Sequence, residues 1–589
     1  MNVEYRMMNT SVFAERLPKD AESKANGNEC RRSSRCKLWS SVLHILCSSV
    51  LLLAGTARAQ MPHQVAVLVN ENSQDSKKAA NVFAALHGVP GVNRISLDLP
   101  ASIVTGRAEC TPEEFKRLIY DPAVSTLKER GVNDQILAWV YSVDFPIRIV
   151  TSPNDLQKMS IMGLTFFWGE VPDVVQVEKG QMISPLFAGP GMQSSQKLPP
   201  RSLMAFNAGL KDKMPLPSMM LGYTGPNGNS METVLRCIQD GVRARQSGKN
   251  PRVLLVKTTD DARSKPREWQ FADVQAELAA RGGSAVITTN LTPRQSGLMG
   301  VMIGAADVNP SDFGTFVPGA MAEHFTSWSA EFQKRQSKCT EWLAAGATVT
   351  AGMVTEPKNG WPKFPHARFY AHYAAGCTAL ESFYQSIASP VQVLLLGNPL
   401  SQIATLPTQI KAIGLSKEIS SDLDAAFVAE AKFPIQAQAL YSALLDGKQV
   451  KEADGITLIE LPFKEMGDGY HEVRLIAQAN LPVTPGGFLD LPVLINKKGR
   501  SLEITNLTDR DPQQIVLTAE ARGEELPKEV YLLWNGRELA RAAYGAELAF
   551  DERIPGEGPL SIQAVAVYED GMQVRSTPKI FAIEFNPKL

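Results

Sequence analysis

The chain has 589 residues, 44% hydrophobic and 21% charged, which excludes a wholly disordered or collagen-like polypeptide. Lys plus Arg (60) balances Asp plus Glu (61) for a formal net charge of -1, so no global field draws the chain to nucleic acid or acidic lipid. At about 150 residues per domain, more than one folding unit is expected.

Arg31, Arg32, Arg35 and Lys37 precede an uncharged run from Leu38 to Ala57, which closes on Ala57-Arg58-Ala59 before Gln60. Small residues at the first and third positions before Gln60 suit a signal peptidase, so residues 1–59 read as a signal peptide. Cleavage after Ala59 leaves 589 − 59 = 530 residues. The alternative is a retained anchor, because about 20 apolar residues can span a bilayer. Contact with a membrane is expected only through this segment. Beyond it stand Cys110, Cys237, Cys339 and Cys377, and none has the Cys-x-x-Cys spacing of a zinc or thioredoxin-like centre. One or two disulfides could form after export, but a hydrophobic core must carry stability.

Strands and helices then alternate over residues 60–407. Val65 to Val69 is a continuous apolar strand, followed by a polar turn at Ser73 to Ser76 and a helix from Lys77 to Leu86 that Gly88 and Pro90 stop. The same grammar predicts strands at Ile136 to Tyr141, Val253 to Val256, Ala285 to Thr288, Leu298 to Ile303, Met321 to Thr326, Val349 to Val354 and Val391 to Leu396. Helices are predicted at Met231 to Arg245 and Trp269 to Ala280. Uninterrupted apolar strands between helices indicate an α/β fold with a mainly parallel sheet covered on both faces. A Pro, Gly and Met rich insertion from Thr151 to Pro217 has weak periodicity, and loops that long are usually functional or mobile.

After Pro407 the pattern becomes short strands between Gly and Pro turns, and it repeats. Leu444-Leu445-Asp446-Gly447-Lys448 is matched by Leu533-Trp534-Asn535-Gly536-Arg537 at an offset of 533 − 444 = 89, and Gly469 and Ala477 are matched by Gly558 and Ala566 at the same offset. Asp-Gly and Asn-Gly between alternating strands are hairpin turns. The repeat predicts two all-β immunoglobulin-like sandwich modules, residues 408–505 and 506–589.

Two segments carry a resemblance. One is Val67-Leu68-Val69-Asn70 with Ser73, Ser76 and Gly88-Val89-Pro90; the other runs from Pro318-Gly319-Ala320 through His324-Phe325-Thr326-Ser327, Glu356-Pro357 and Lys363-Phe364-Pro365 to Gly397-Asn398-Pro399-Leu400. Together they resemble an uncharacterised family of exported bacterial proteins found in species with exosortase-type sorting. The family pattern has Gly-Asp-Pro-Leu where this chain has Asn398, and a Gly pair where it has Trp328-Ser329. A more distant similarity is to caspase and gingipain type cysteine peptidases, which place His at the end of one sheet strand and Cys at the end of the next so that imidazole can activate thiol. Here the strand to Ile303 ends in Gly304-Ala305-Ala306, and the strand to Thr326 ends at Ser327. The resemblance therefore implies a peptidase-like domain without the Cys-His dyad.

Ser327 would need a base, and His324 is three residues away, on one face only if the segment were helical. Glu356, at the carboxyl end of a buried strand, stands where open α/β sheets assemble ligand sites, and it equally suits capping the next turn. Asp307 and Asn398 would join the same edge if all strands ran parallel. The candidate cleft thus comprises Ser327, Glu356 and His324 as catalytic candidates and Asp307 and Asn398 as binding candidates. No His-x-x-x-His pair, phosphate loop or dinucleotide fingerprint occurs, so neither metal nor cofactor is expected. These features describe a secreted, periplasmic or cell-surface protein that binds a protein or glycan of the envelope. The enzyme alternative is a hydrolase using the Ser327 and Glu356 cleft.

Overall fold

The computed structural model describes residues 61–190, 197–210, 215–247, 252–289, 294–403, 408–420, 425–510 and 513–585. The expected signal peptide lies outside them. Ten strands form one sheet: β1 (Val65–Asn70), β2 (Arg94–Leu97), β3 (Ala138–Tyr141), β4 (Ser218–Met220), β5 (Arg252–Val256), β6 (Ser284–Thr288), β7 (Gln295–Gly304), β8 (Gly314–Phe325), β9 (Val349–Met353) and β10 (Val393–Gly397). Their order is β2-β1-β3-β4-β10-β9-β8-β7-β5-β6. Neighbours are parallel except β9 and β10, which run antiparallel with Val349 opposite Gly397 and Met353 opposite Val393. The two halves of the sheet therefore point in opposite directions.

Both faces are covered, which explains why the strands read as unbroken apolar runs. Val65, Val67 and Val69 of β1 enter one core, and Ala66 and Leu68 enter the other. The first core is completed by α1 (Gln74–His87), α2 (Met231–Arg243), α4 (Phe271–Ala279), α6 (Phe369–Ala374) and α7 (Ala379–Ser386); α3 (Asp261–Glu268) precedes α4, and α5 (Cys339–Ala344) precedes β9. The second is closed by Phe115, Ile119, Ala123 and Leu127 and by Ile161, Met162 and Leu164. Helix α1 begins where the Ser73 side chain accepts the Ser76 N–H and ends where Gly88 turns left-handed at φ 70. The helix expected from Trp269 begins at Phe271 and is preceded by α3, which runs through Pro266 at the loss of one ladder bond.

Beyond residue 408 two β-sandwiches follow. In the first, a three-stranded sheet (Gln409–Ile413, Ala425–Lys432, Leu458–Leu461) shares one core with strands Ala439–Leu445, Gly469–Ala479 and Gly486–Ile495: Phe427, Ile459 and Leu461 meet Leu445, Val473, Leu475 and Val493. In the second, Ser501–Arg510, Gln514–Arg522 and Leu548–Asp551 face Glu529–Trp534 and Gly558–Val567 across Leu517, Phe550, Leu532, Trp534 and Ile562. Strand Ser501–Arg510 straddles the expected 505/506 boundary and pairs along its length with Gln514–Arg522. The repeated turns have matching backbones: Asp446 and Gly447 at φ 52 and 84, Asn535 and Gly536 at φ 49 and 72. Positive φ at both central positions is the twist-matched hairpin geometry that Asp-Gly and Asn-Gly favour.

Both hairpin turns dock on the α/β domain. The Gln135 side chain donates to the Gly447 carbonyl at 3.0 Å and accepts from the Gln449 N–H at 3.0 Å. One module later, Arg94 lies 4.4 Å over the Trp534 ring and Arg537 pairs with Glu71 at 3.0 Å. The Asn81 amide reaches the Pro555 and Glu557 carbonyls at 3.0 and 2.7 Å. Met61, Leu444 and Ile476 form a small buried cluster with Phe488 against it.

Candidate functional site

Strands β7 and β8 are parallel neighbours, with Ile303 opposite His324 and Gly304 opposite Phe325. The segments Ala305-Ala306 and Thr326-Ser327 therefore follow adjacent strand ends, and neither supplies an imidazole or a thiol. Ser327 is half-buried, and its hydroxyl donates to Glu356 Oε1 at 2.7 Å. The same oxygen accepts the Lys358 N–H at 2.8 Å. Glu356 thus caps the turn after β9 and holds the Ser327 hydroxyl with the same oxygen.

His324 is not the partner of Ser327. Its Nδ1 accepts the Trp342 indole N–H at 2.9 Å, and its Nε2 lies 3.2 Å from the Ser337 carbonyl, which fixes the proton on Nε2. Burial pushes this histidine down to about 4, so it is a neutral packed ring. Asp307 is exposed beyond the end of β7. Asn398 requires a correction: because β10 runs antiparallel to β9, it follows the sheet edge opposite to that of Glu356. There it is fully buried, donating to the Ile238 carbonyl at 2.8 Å and standing 2.9 Å from His87 Nε2. Ser327 and Glu356 are brought together, whereas His324 and Asn398 are turned away from them.

Beside this pair lies a polar network that sequence reasoning missed. Arg148 is buried, pairs with Glu109 and Glu331, and sits 4.0 Å from Asp155. Asp155 accepts the Trp328 indole N–H at 3.3 Å and pairs with Lys158 at 3.3 Å. Burial pulls the Asp155 carboxyl upward, but the hydrogen bonds from Trp328 and Lys158 and the charges of Lys158 and Arg148 outweigh it and hold the group below the usual range. The signal was present as a lone Arg inside Phe145-Pro146-Ile147-Arg148-Ile149-Val150. A buried cation must be paired, so such an arginine marks a network. Among the described residues no cluster of three or more His, Cys, Asp and Glu could hold a metal ion.

Cys110, Cys237, Cys339 and Cys377 are free and buried. Burial pushes the Cys237 and Cys339 thiols up to about 12, and Cys377 well above its ordinary value. Cys339 opens α5 against Gly352, and Cys377 is held near Gln385 and the Arg201 carbonyl. The thiolate is the reactive form, so iodoacetamide is expected to leave all four unmodified in the native protein and to alkylate them in urea. Peptide mapping checks this. Native-state labelling of Cys339 or Cys377 would return a thiol mechanism to consideration.

No protein-family profile matches the chain. No curated protein matches it. Among solved structures, the Bacteroides ovatus mixed-linkage glucan utilization protein SGBP-B, in complex with a heptasaccharide, is similar at 12% identity over 30% of this chain and 47% of that chain, with a TM-score of 0.18. The chain thus spans about half the length of that protein. Fibronectin(III)-like modules of Clostridium thermocellum CbhA are similar at 15% identity, covering 30% of this chain and 92% of theirs, with a TM-score of 0.13. Dimeric latent PorU from Porphyromonas gingivalis is similar at 11% identity over 34% of this chain and 23% of that chain, with a TM-score of 0.14. Scores this low leave family and activity to be argued from the chain itself. No helix among the described residues is long and apolar enough to cross a membrane.

Proposed function

We propose that this is an exported, envelope-associated protein with a peptidase-like α/β domain that lacks Cys-His machinery, and that it acts by binding a protein or glycan of the envelope. The observation that carries the reading is the Ser327 hydroxyl, which donates its proton to Glu356 while His324 is committed to Trp342 and Ser337. A serine hydroxyl needs a positioned general base to attack, and a carboxylate that also caps a turn is a weak one. The charged, apolar and Ala-x-Ala order of residues 31–59 supports export. The tandem sandwiches, docked by both repeated turns, supply a fixed extended surface.

The second reading is a secreted hydrolase using Ser327 and Glu356, and the 2.7 Å bond between them favours it. One experiment separates the two. The purified protein is offered peptide and ester substrates, and separately envelope proteins and polysaccharides on a binding sensor. The expected result is no turnover above the blank, with saturable binding that Ser327→Ala leaves unchanged. Turnover abolished by both Ser327→Ala and Glu356→Gln, with folding intact, would establish the hydrolase instead.

A further inference from the structure

The insertion between Thr151 and Pro217 had no assigned role, and two of its stretches line a half-open pocket of about 290 Å³. Pro185, Phe187, Leu198, Pro199, Phe206 and Leu210 line it. Its walls are pinned from beneath by buried polar side chains of α7 and of the residue preceding α6. The Arg368 guanidinium, itself paired with Glu277, donates to the Ala188 carbonyl at 2.7 Å and the Leu198 carbonyl at 3.0 Å. The Gln385 side chain accepts the Arg201 N–H at 2.6 Å and donates to the Arg201 carbonyl. Glu381 accepts the Leu203 N–H at 2.9 Å. Arg368, Gln385 and Glu381 are each at most 4% exposed. Three buried groups thus spend their hydrogen bonds on the pocket's backbone, so the apolar cavity is built in advance of any occupant.

One charge lines it. Arg201 is exposed, and no acid among the described residues pairs with its guanidinium. Lys197, four residues earlier, is already taken by Asp273 at 3.6 Å and Glu277 at 3.3 Å. The rim therefore presents a single unneutralised cation beside an apolar floor. A complementary ligand has an apolar body and one anionic group close to it, and a planar guanidinium matches a carboxylate through two parallel hydrogen bonds. The volume is at the lower bound of small-molecule sites, which suits one large side chain rather than a long acyl chain. Outside the cavity the surface continues as aromatic rings: Phe187 lies 6.4 Å from Trp361, and Trp361 lies 5.3 Å from the half-exposed Trp269.

We propose that this pocket captures the carboxyl-terminal residue of a polypeptide, its apolar side chain entering the cavity and its carboxylate pairing with Arg201, with the preceding residues passing over Trp361 and Trp269. The site is separate from Ser327 and Glu356, and its test does not depend on them. The full chain is titrated with an N-acetylated hexapeptide ending in phenylalanine with a free carboxylate, with the same peptide as its carboxyl amide, and with decanoate, following tryptophan fluorescence and heat. The free acid is expected to bind saturably. The amide should bind about tenfold or more weakly, the loss expected for a charge-assisted pair. Arg201→Ala and Arg201→Glu, at an exposed position, should show the same loss with an unchanged melting curve, and Phe206→Ser should weaken acid and amide together. Equal affinity for acid and amide, no saturation with the peptide, or saturable binding of decanoate alone would each overturn the proposal.

Discussion

Arg267→Ala is expected to lower the stability of the α/β domain by about 3–5 kcal/mol at pH 8, the usual cost of leaving a buried charge without its partner. Arg267 and Glu323 are each 1% exposed and paired within the core. Arg267 also donates to the Ile303 carbonyl at 2.9 Å, and its guanidinium lies 5.0 Å from the centre of the Phe325 ring. Burial raises the Glu323 carboxyl, and the charge and hydrogen bond of Arg267 offset only part of that rise, so the group remains above its ordinary range. A carboxyl raised in the folded state binds its proton more tightly there than in the unfolded chain. Its contribution is fully present below the unfolded value and is lost as pH rises through the folded one. Removing Arg267 raises Glu323 further and extends that loss. The deficit should therefore be largest at pH 8 and shrink toward pH 5, where the isolated acid takes up its proton. Urea unfolding of both proteins at the two pH values measures it. Arg267→Ala combined with Glu323→Leu should recover a large part of the loss, because a neutral side chain no longer needs a counter-charge. A deficit independent of pH, or a double variant no better than the single one, would show that Glu323 is not the stranded group.

Much of the fold was legible because its physics is local. Val65 to Val69 reads as a strand buried on both faces, and its side chains do alternate between two cores. Asp446-Gly447 and Asn535-Gly536 demand positive φ, which a hairpin turn supplies, so the repeat was visible as chemistry as well as spacing. Strand β4 escaped because three residues, Ser218–Met220, are too few to show a period. The direction of β10 was not in its residues at all. An apolar strand buried on both faces has the same composition parallel or antiparallel, and only the path of the chain between Met353 and Val393 decides it. That one reversal moved Asn398 to the other edge, away from Ser327 and Glu356. His324 was lost for a different reason: it projects toward Trp342 from within β8, while Ser327 lies beyond the strand. The pocket at Arg201 was hidden because its walls are irregular backbone and one short helix, Leu203–Asn207, held in place by distant side chains such as Arg368 and Gln385.

The docked arrangement of the sandwiches makes the last prediction. Arg474 donates to the Gly88 carbonyl at 2.6 Å, pairs with Asp490 at 2.6 and 3.0 Å, and stacks 4.1 Å over Phe488. The left-handed backbone of Gly88 closes α1 just where this guanidinium reaches it. Asn81 makes the equivalent link to the second sandwich through the Pro555 and Glu557 carbonyls. Each sandwich has its own apolar core, so these links should couple units that can fold separately. The wild-type protein is therefore expected to unfold in one calorimetric transition. Arg474→Ala with Asn81→Ala should split it in two, each lost link costing about 1–3 kcal/mol from polar groups left half-buried. A fragment spanning residues 408–589 should still unfold cooperatively, at a lower temperature than in the full chain because Leu444, Ile476 and Phe488 lose their cover. Retention of a single transition in the double variant would mean that the apolar contacts at Met61 and Trp534 carry the coupling. An aggregated or non-cooperative fragment would mean that the sandwiches depend on the α/β domain to fold. The distinction matters for the binding role proposed above: a surface held by two hairpin turns and two clasps keeps one geometry, so a ligand would meet it without first ordering a hinge.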